Sequence, residues 1–322
     1  MTELSSDIHP KLSITVIEQL QRKHICTVSQ FIDENSEKLA TFSGLSLKDI
    51  LDVRRNILKK YGGVIRSATD LFKIEMSNIT PTDLPSLDNL LKGGLYPGQI
   101  YEVCGISASG KTQLCLTIAS NVALRPNSLI RYIDTKRDFC GSRIKEILLR
   151  KNCNDQVIDE AMEHIRVCNV YNLHQLFKVL RWLTIALKEE IEARRTRIIV
   201  IDSLPGIIFK FSSDHKLTTA LNHIANICHF LANEFHLSII TVNLITQWNL
   251  DSKNESTSTG ASKNRNDVTP TLGKYWAGVP NTRLLITKIG LDRRKICTWH
   301  SFQLEENLSC TLTISDSGML CS

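Results

Sequence analysis

The sequence predicts an α/β protein in which a small all-helical domain precedes a larger domain with a mixed, mostly parallel sheet. Three observations carry this prediction. Apolar runs typical of buried parallel strands alternate with segments of helical period between residues 99 and 243. Shorter runs from residue 283 to residue 314 indicate hairpin strands, which would form an antiparallel edge. Residues 1–60 show helical patterns, without the strand and turn alternation of the larger domain.

The first predicted domain covers residues 1–61. Thr27 is expected to cap its second helix, and Ser46 is expected to cap a helix that runs to Lys60. Gly44 suits the turn between two helices. Helices joined by such a turn are typical of helix-hairpin-helix modules, in which the turn presents N–H groups to a DNA phosphate. A helical domain for protein contacts is the favoured alternative, because the turn lacks the Gly-x-Gly of a good phosphate clamp.

A linker is predicted over residues 62–84, between the paired glycines Gly62 and Gly63 and the prolines that precede the larger domain. Its segment 64–72 contains Ile65 and Ala68, which are spaced to fill two adjacent pockets. Such a segment can add to the sheet edge of another subunit, so Ile65 and Ala68 are predicted subunit contacts. Packing of the segment on its own domain is the alternative.

The larger domain, predicted over residues 85–322, begins with a complete G-x-x-x-x-G-K-[ST] motif. A predicted strand, 99–104, precedes this motif and a predicted helix follows it. The turn points backbone N–H groups at the N-terminus of the helix, where the helix dipole favours anions. We expect Lys111 to reach the β- and γ-phosphates of a nucleotide and the Thr112 hydroxyl to bind Mg²⁺. The predicted nucleotide-binding residues are Gly105, Ile106, Ser107, Ala108, Ser109, Gly110, Lys111 and Thr112.

Two further predicted strands end in carboxylates. Residues 128–134 end at Asp134, and the apolar run 198–201 ends at Asp202. Doubly wound sheets bind their ligands at the carboxyl ends of such strands. We expect Asp202 to hold Mg²⁺ through water, opposite Thr112. An aspartate at the end of a strand can instead cap a helix, but the intact phosphate loop upstream favours the metal role.

A polar segment from residue 249 to residue 267 contains too few apolar residues to bury a core, and it predicts a long loop. Lys253, Lys263 and Arg265 in this segment are candidate contacts to a DNA backbone. Three acidic residues of the same segment cancel their charge. A solvated loop is therefore the first prediction and a DNA-binding loop the second.

Composition adds weaker constraints. A net charge of +6 over 322 residues is compatible with a polyanionic partner without demonstrating one. None of the ten cysteines has a C-x-x-C or Cys/His spacing, so we expect no zinc site. We expect the protein to lie in a reducing compartment. No apolar run is long enough to span a bilayer and no signal-peptide pattern opens the chain. We therefore expect a soluble intracellular protein.

With both nucleotide motifs, a helical N-terminal domain and this loop placement, the chain resembles the RecA-like strand-exchange recombinases of eukaryotes and archaea. The resemblance spans nearly the whole chain and is most specific in residues 87–95, 110–115 and 271–283. Within the family the chain looks most like the D-type branch of the accessory paralogues. The resemblance implies a RecA-like ATPase core, ATP and Mg²⁺ as cofactors, and a mixed complex with other paralogues. It also implies single-stranded DNA as a partner, a role in homologous recombination and double-strand-break repair, and a nuclear location.

Departures from the family pattern are equally informative. Where the recombinases have the glutamate that activates water, this chain has Lys136. A charged lysine cannot accept that proton, so hydrolysis is predicted to be slow unless Asp134, Asp138 or a neighbouring subunit supplies a base. Leu244 replaces the glutamine that senses the γ-phosphate, and it cannot form the same hydrogen bond.

Two departures concern assembly. The Phe-x-x-Ala polymerisation motif of the family stands here as Ile65-Arg-Ser-Ala68, and the Asp-Ser-Pro cap is not evident near residues 299–301. All departures favour an ATP-binding subunit of a heteromeric complex with weak or composite ATPase activity. A self-sufficient DNA-dependent ATPase that forms its own filament is the alternative, and a scaffold without nucleotide is the third hypothesis.

Overall fold

A computed structural model describes residues 2–63, 66–191, 194–209, 214–247 and 268–321. The chain divides into two compact units, Met1–Phe72 and Lys73–Ser322. This division falls inside the predicted linker, where the structure has a helix that the sequence analysis does not predict, α5 (Ala68–Ser77). Ser67 accepts a hydrogen bond from the Asp70 N–H (3.1 Å) and thereby starts that helix.

The first unit is helical, as predicted. Its helices before α5 are α1 (Ile14–Gln21), α2 (Val28–Asp33), α3 (Ser36–Ser43) and α4 (Leu47–Tyr61). Thr27 caps α2 in a reciprocal arrangement: its hydroxyl accepts from the Gln30 N–H (3.3 Å), and the Gln30 side chain accepts from the Thr27 N–H (3.0 Å). Gly44 ends α3 with φ 69°, and Ser46 accepts from the Asp49 N–H (3.1 Å) at the start of α4. The predicted caps are confirmed.

In the described part of the second unit, helices separate most of the strands up to β7, and β7 to β10 follow one another without a helix. Its strands are β1 (Ile100–Gly105), β2 (Ser128–Asp134), β3 (Ile165–Asn169), β4 (Arg195–Asp202), β5 (Ser238–Gln247), β6 (Val268–Pro270), β7 (Thr282–Lys288), β8 (Arg293–Ser301), β9 (Ser309–Ser315) and β10 (Gly318–Cys321). Its helices after α5 are α6 (Pro85–Leu90), α7 (Lys111–Ala123), α8 (Gly141–Leu149), α9 (Asp155–His164), α10 (Leu173–Ala186), α11 (Leu204–Ile208), α12 (Asp214–Glu234) and α13 (Gly273–Ala277).

The strands form one sheet in the order β10-β9-β8-β7-β1-β5-β4-β2-β3, and β6 pairs with β5. The pairs from β7 to β3 are parallel, whereas β8, β9 and β10 continue the sheet in antiparallel pairs. The predicted mixed, mostly parallel sheet is confirmed. Parallel register places Gly105 beside Leu244 and Asp134 beside Asp202, so four strands end at one edge.

Apolar side chains cover both faces of this sheet. In β4, Ile198 and Val200 belong to the core that includes α7, α8 and α9, while Ile199 and Ile201 belong to the core that includes α10 and α12. Successive residues of a strand point to opposite faces, so a strand buried on both sides must be apolar throughout. None of the described helices combines the length and apolarity needed to cross a bilayer.

In the second unit, α10 and β3 also differ from the sequence prediction. The helix expected from Leu173 to residue 193 ends at Ala186. Beyond it Glu190 accepts hydrogen bonds from the N–H (2.7 Å) and hydroxyl (2.6 Å) of Thr196 and from Arg131 (2.7 Å), and these bonds hold the chain out of the helix. Strand β3 was not predicted, because it lies at the edge of the sheet and lacks the apolar run of the inner strands.

Candidate nucleotide-binding site

The predicted phosphate loop lies between β1 and α7, as the motif requires. Gly110 precedes α7 with φ 104°, and no side chain caps the helix, so the N–H groups of its first turn can bind an anion. At Gly105 a Cβ atom would lie 2.6 Å from the carbonyl oxygen of Ile286 and 2.5 Å from the Ser109 hydroxyl. Glycine is therefore needed at Gly110 for its left-handed backbone conformation and at Gly105 because a Cβ atom has no room there.

Lys111 is buried at the start of α7. Its Nζ donates to the carbonyl oxygens of Gly105 (2.8 Å) and Ile106 (2.6 Å), and it lies 3.5 Å from the Ser109 hydroxyl. Burial and, to a smaller extent, the nearby charge of Lys136 lower the pKa of Lys111 to about 8, against the opposing effect of Asp202. An anion in the loop would satisfy this partly desolvated ammonium.

A cavity of about 300 Å³ opens above the loop. This volume is at the lower end of the range for small-molecule sites. Most of its walls are polar, and Leu244 and Ile314 contribute large apolar side chains. The residues lining the cavity are Ser107, Ala108, Ser109, Gly110, Lys111, Thr112, Gln113, Lys136, Asp138, Leu244 and Ile314.

Asp202 lies buried at the end of β4. Its Oδ2 accepts a hydrogen bond from the Tyr132 hydroxyl (2.9 Å), while its buried Oδ1 has no hydrogen-bond partner among the described residues. Burial raises the pKa of Asp202, and the hydroxyl of Thr112 and the ammonium of Lys136 oppose this shift. An unsatisfied carboxylate oxygen beside a threonine hydroxyl fits Mg²⁺, which prefers oxygen ligands and would offset the burial of the charge.

Asp134, the register partner of Asp202, binds backbone N–H groups. Its Oδ1 accepts from the N–H groups of Lys136 (3.0 Å), Arg137 (2.9 Å) and Asp138 (3.3 Å), and its Oδ2 accepts from that of Phe139 (2.9 Å). Both carboxylate oxygens are thereby engaged in holding the loop after β2. This geometry argues against Asp134 as a base that activates water.

The loop that Asp134 holds directs Lys136 into the cavity. The Lys136 Nζ lies 3.8 Å from Oδ1 of Asp202 and 4.0 Å from Oδ2 of Asp138. The position that carries a carboxylate in the recombinases, according to the resemblance, thus presents an ammonium here. Asp138 is the remaining carboxylate that lines the cavity, and its side chain is half exposed.

Leu244 of β5 lines the cavity beside Gly105, the first residue of the phosphate loop. Its backbone N–H donates to Oδ1 of Asn243 (2.7 Å), which also accepts from the Thr271 hydroxyl (2.8 Å). The apolar Leu244 side chain can offer a phosphate no hydrogen bond.

The C-terminal strands contribute to the site in a way that sequence reasoning missed. Arg294 of β8 donates from Nε to the carbonyl oxygen of Ser109 (2.9 Å) inside the phosphate loop. The side chains of Ile314 and Met319 pack beside Gly110, and the Met319 N–H donates to the Thr117 hydroxyl of α7 (2.9 Å). The alternating pattern of these strands predicts their conformation but not this contact.

Several predicted contact residues lie outside the described residues: the subunit contact Ile65 and the DNA candidates Lys253, Lys263 and Arg265. Ala68 is described, and it is the first residue of α5. No described residue of α5 is buried, and Leu71, Phe72 and Met76 are exposed apolar side chains on it.

Comparison with known proteins gives two matching family models. Residues 74–321 match the model described as Rad51, and residues 1–60 match the model described as RAD51D, N-terminal domain. The chain is 25% identical to "DNA repair protein RAD51 homolog 4" of Mus musculus, over 99% of this chain and 96% of the relative. It is 26% identical to the Bos taurus protein of the same name, over 89% and 85%. It is 25% identical to "DNA repair protein RAD51 homolog 2" of Mus musculus, over 96% and 95%.

Proposed function

The chain belongs to the Rad51 family, as the resemblance predicts, and we propose that it is an ATP-binding accessory subunit of a heteromeric complex of recombinase paralogues. One observation carries the proposal: a complete phosphate loop and a lysine at the position of the catalytic carboxylate line the same cavity. The loop supports nucleotide binding, whereas Lys136 argues against rapid hydrolysis. The same cavity therefore favours a nucleotide that is held rather than turned over.

The biological setting of the proposal comes from the relatives. Their names describe DNA repair proteins. We assign the chain to homologous recombination and double-strand-break repair in the nucleus, where it would assist the main recombinase on single-stranded DNA. Lys253, Lys263 and Arg265 are the proposed contacts to the DNA backbone.

ATP and Mg²⁺ are the proposed cofactors of the site. Gly105–Thr112 would hold the phosphates, Lys111 would neutralise them, and Thr112 and Asp202 would hold the metal, directly and through water. When bound, Mg²⁺ neutralises phosphate charge at such a site. A ligand present far above its Kd stabilises the state that binds it by several kcal/mol. We infer that ATP acts mainly by stabilising the contact with a neighbouring subunit.

A self-sufficient DNA-dependent ATPase is the second candidate function, and Asp138 is the observation that favours it. This half-exposed carboxylate lines the cavity and could act as a general base. However, its Oδ2 lies 4.0 Å from the Lys136 ammonium, and this ion pair engages the oxygen that would have to accept the proton. The accessory role therefore remains the better supported proposal.

Assembly with other recombinase paralogues tests the accessory role. The full chain would be purified with its partner subunits, and their retention measured with ATP and without it. Lys111→Ala is expected to lose at least one partner, and ATP is expected to increase retention by the unmodified chain but not by Lys111→Ala. The matched control is Lys145→Ala, on the exposed face of α8. An unchanged complex with Lys111→Ala would overturn the proposed role of ATP.

A further inference from the structure

We propose that the Lys136 ammonium supplies within the chain part of the positive charge that Mg²⁺ supplies at nucleotide sites, so that nucleotide binding here depends only weakly on a divalent cation. This inference rests on the proposed nucleotide-binding function. It concerns what holds the phosphates, not whether they are hydrolysed.

The position of Lys136 is the first support. Its Nζ lies 3.8 Å from Oδ1 of Asp202, the buried oxygen that has no hydrogen-bond partner in the described part of the chain. Its side chain also lines the cavity together with Lys111 and Thr112. The ammonium therefore neighbours both the carboxylate that fits Mg²⁺ and the loop that fits phosphate.

The backbone holds Lys136 in this position. The Thr135 hydroxyl donates to the carbonyl oxygen of Ser203 (2.7 Å) and accepts from the Ser203 N–H (2.9 Å). The Thr135 N–H donates to the carbonyl oxygen of Asp202 (2.9 Å), and the Lys136 N–H donates to Asp134. These bonds fix the end of β2 against the end of β4, so little conformational freedom remains to be lost on binding.

The stem of the lysine is also packed. A Cβ atom added to Gly206, the central residue of α11, would lie 3.2 Å from Cγ of Lys136, so this short helix covers the stem. The side chain keeps 31% of its exposure, which leaves the ammonium open to the cavity. A lysine on a free surface would lose more rotamer entropy on meeting a phosphate.

Positive charge lines the cavity. The ammonium groups of Lys111 and Lys136 face it beside one lining carboxylate, that of Asp138, and Asp202 lies next to Lys136. A triphosphate bound without metal needs such positive charge close to its terminal oxygens. The same charge 3.8 Å from Asp202 Oδ1 repels a divalent cation. Both effects reduce the gain in affinity that Mg²⁺ provides.

The test measures the Kd of ATP for the full chain, in excess Mg²⁺ and in EDTA, by calorimetric titration. Lys136→Gln removes the charge and keeps most of the stem, and Lys136→Arg keeps the charge. EDTA is expected to weaken binding less than about threefold in the unmodified chain and Lys136→Arg, but about tenfold or more in Lys136→Gln. Thermal unfolding without nucleotide establishes that the variants are folded.

Each outcome decides a different question. An equal loss of affinity in EDTA for the unmodified chain and Lys136→Gln would overturn the inference while leaving the nucleotide-binding function intact. Absence of ATP binding in both conditions would overturn the proposed function, and the inference with it. Weaker dependence on Mg²⁺ in the unmodified chain than in Lys136→Gln would support both.

Discussion

Arg283 of β7 donates from Nε to Oε2 of Glu102 of β1, and neither side chain is appreciably accessible to solvent. The two residues are register partners in the parallel sheet. The other oxygen of Glu102 accepts from the side chains of Asn243 (2.8 Å) and Trp276 (2.8 Å). One buried carboxylate thus joins the strand that leads into the phosphate loop to residues on either side of segment 248–267.

The first prediction is that removing one partner of this ion pair lowers the stability of the protein strongly. Arg283→Met leaves the Glu102 charge buried without its counter-ion, and we expect the free energy of unfolding to fall by about 3–5 kcal/mol. The double variant Glu102→Leu with Arg283→Met removes both charges and should recover part of that loss. Urea unfolding of the full chain measures both. A single variant within about 1 kcal/mol of the unmodified chain would contradict the prediction.

The second prediction concerns Gly110, where we expect a side chain to reduce stability and ATP binding. A Cβ at this position would lie 2.9 Å from Cε of Met319 and 3.0 Å from Cδ1 of Ile314, and the φ of 104° is strained for other residues. We expect Gly110→Ala to cost about 1–3 kcal/mol of stability and to weaken ATP binding. Gly278→Ala is the matched control, because its φ is −94° and its Cβ would meet no atom within 4 Å. Equal unfolding midpoints for the two variants would speak against the contact.

The third prediction is that a change at Ile314 affects the binding of ATP but not the binding of inorganic tripolyphosphate. Its side chain is one of the two large apolar groups lining the cavity, so we expect it to contact the nucleoside rather than the phosphates. Ile314→Ala should weaken ATP binding by about five- to tenfold through lost apolar contact and leave tripolyphosphate binding unchanged. Leu320→Ala, on the exposed part of the same hairpin, serves as the control. Parallel losses for both ligands would contradict this assignment.

The fourth prediction is that the exposed thiol of Cys140 is reactive. The hydroxyl of Ser142 lies 2.9 Å from its Sγ, and this hydrogen bond, followed by that of the Arg143 N–H, lowers the pKa of the thiol. A lowered pKa increases the thiolate fraction near pH 7. Ser142→Ala should therefore slow alkylation of Cys140 by iodoacetamide at pH 7 and shift its pH dependence upwards. Mass spectrometry of the labelled peptides measures the rate, and an unaltered rate in Ser142→Ala would refute the prediction.

Local patterns predicted those parts of the molecule whose physical requirements are local. The phosphate loop needs glycine at fixed positions between a strand and a helix, and strands buried on both faces need continuous apolar runs. The caps at Thr27 and Ser46 likewise depend on neighbours within three residues. These features can be recognised from spacing alone.

Contacts between distant residues could not be predicted in this way. Arg294 binds the carbonyl oxygen of Ser109, and Trp276 binds Glu102, across more than 170 residues of chain. The role of Asp134 also escaped, because a strand-ending aspartate has the same sequence pattern whether it binds metal or backbone N–H groups. Only the course of the loop after β2 distinguishes the two.

The most direct measurement is ATP binding and steady-state hydrolysis by the purified full chain, with and without single-stranded DNA, beside Lys136→Glu. We expect the unmodified chain to bind ATP with negligible turnover in either condition. We expect Lys136→Glu, which places a carboxylate at this position, to raise turnover, since a positioned base contributes about 10²–10⁴ in rate. DNA-stimulated turnover by the unmodified chain alone would contradict the accessory role and favour the self-sufficient ATPase.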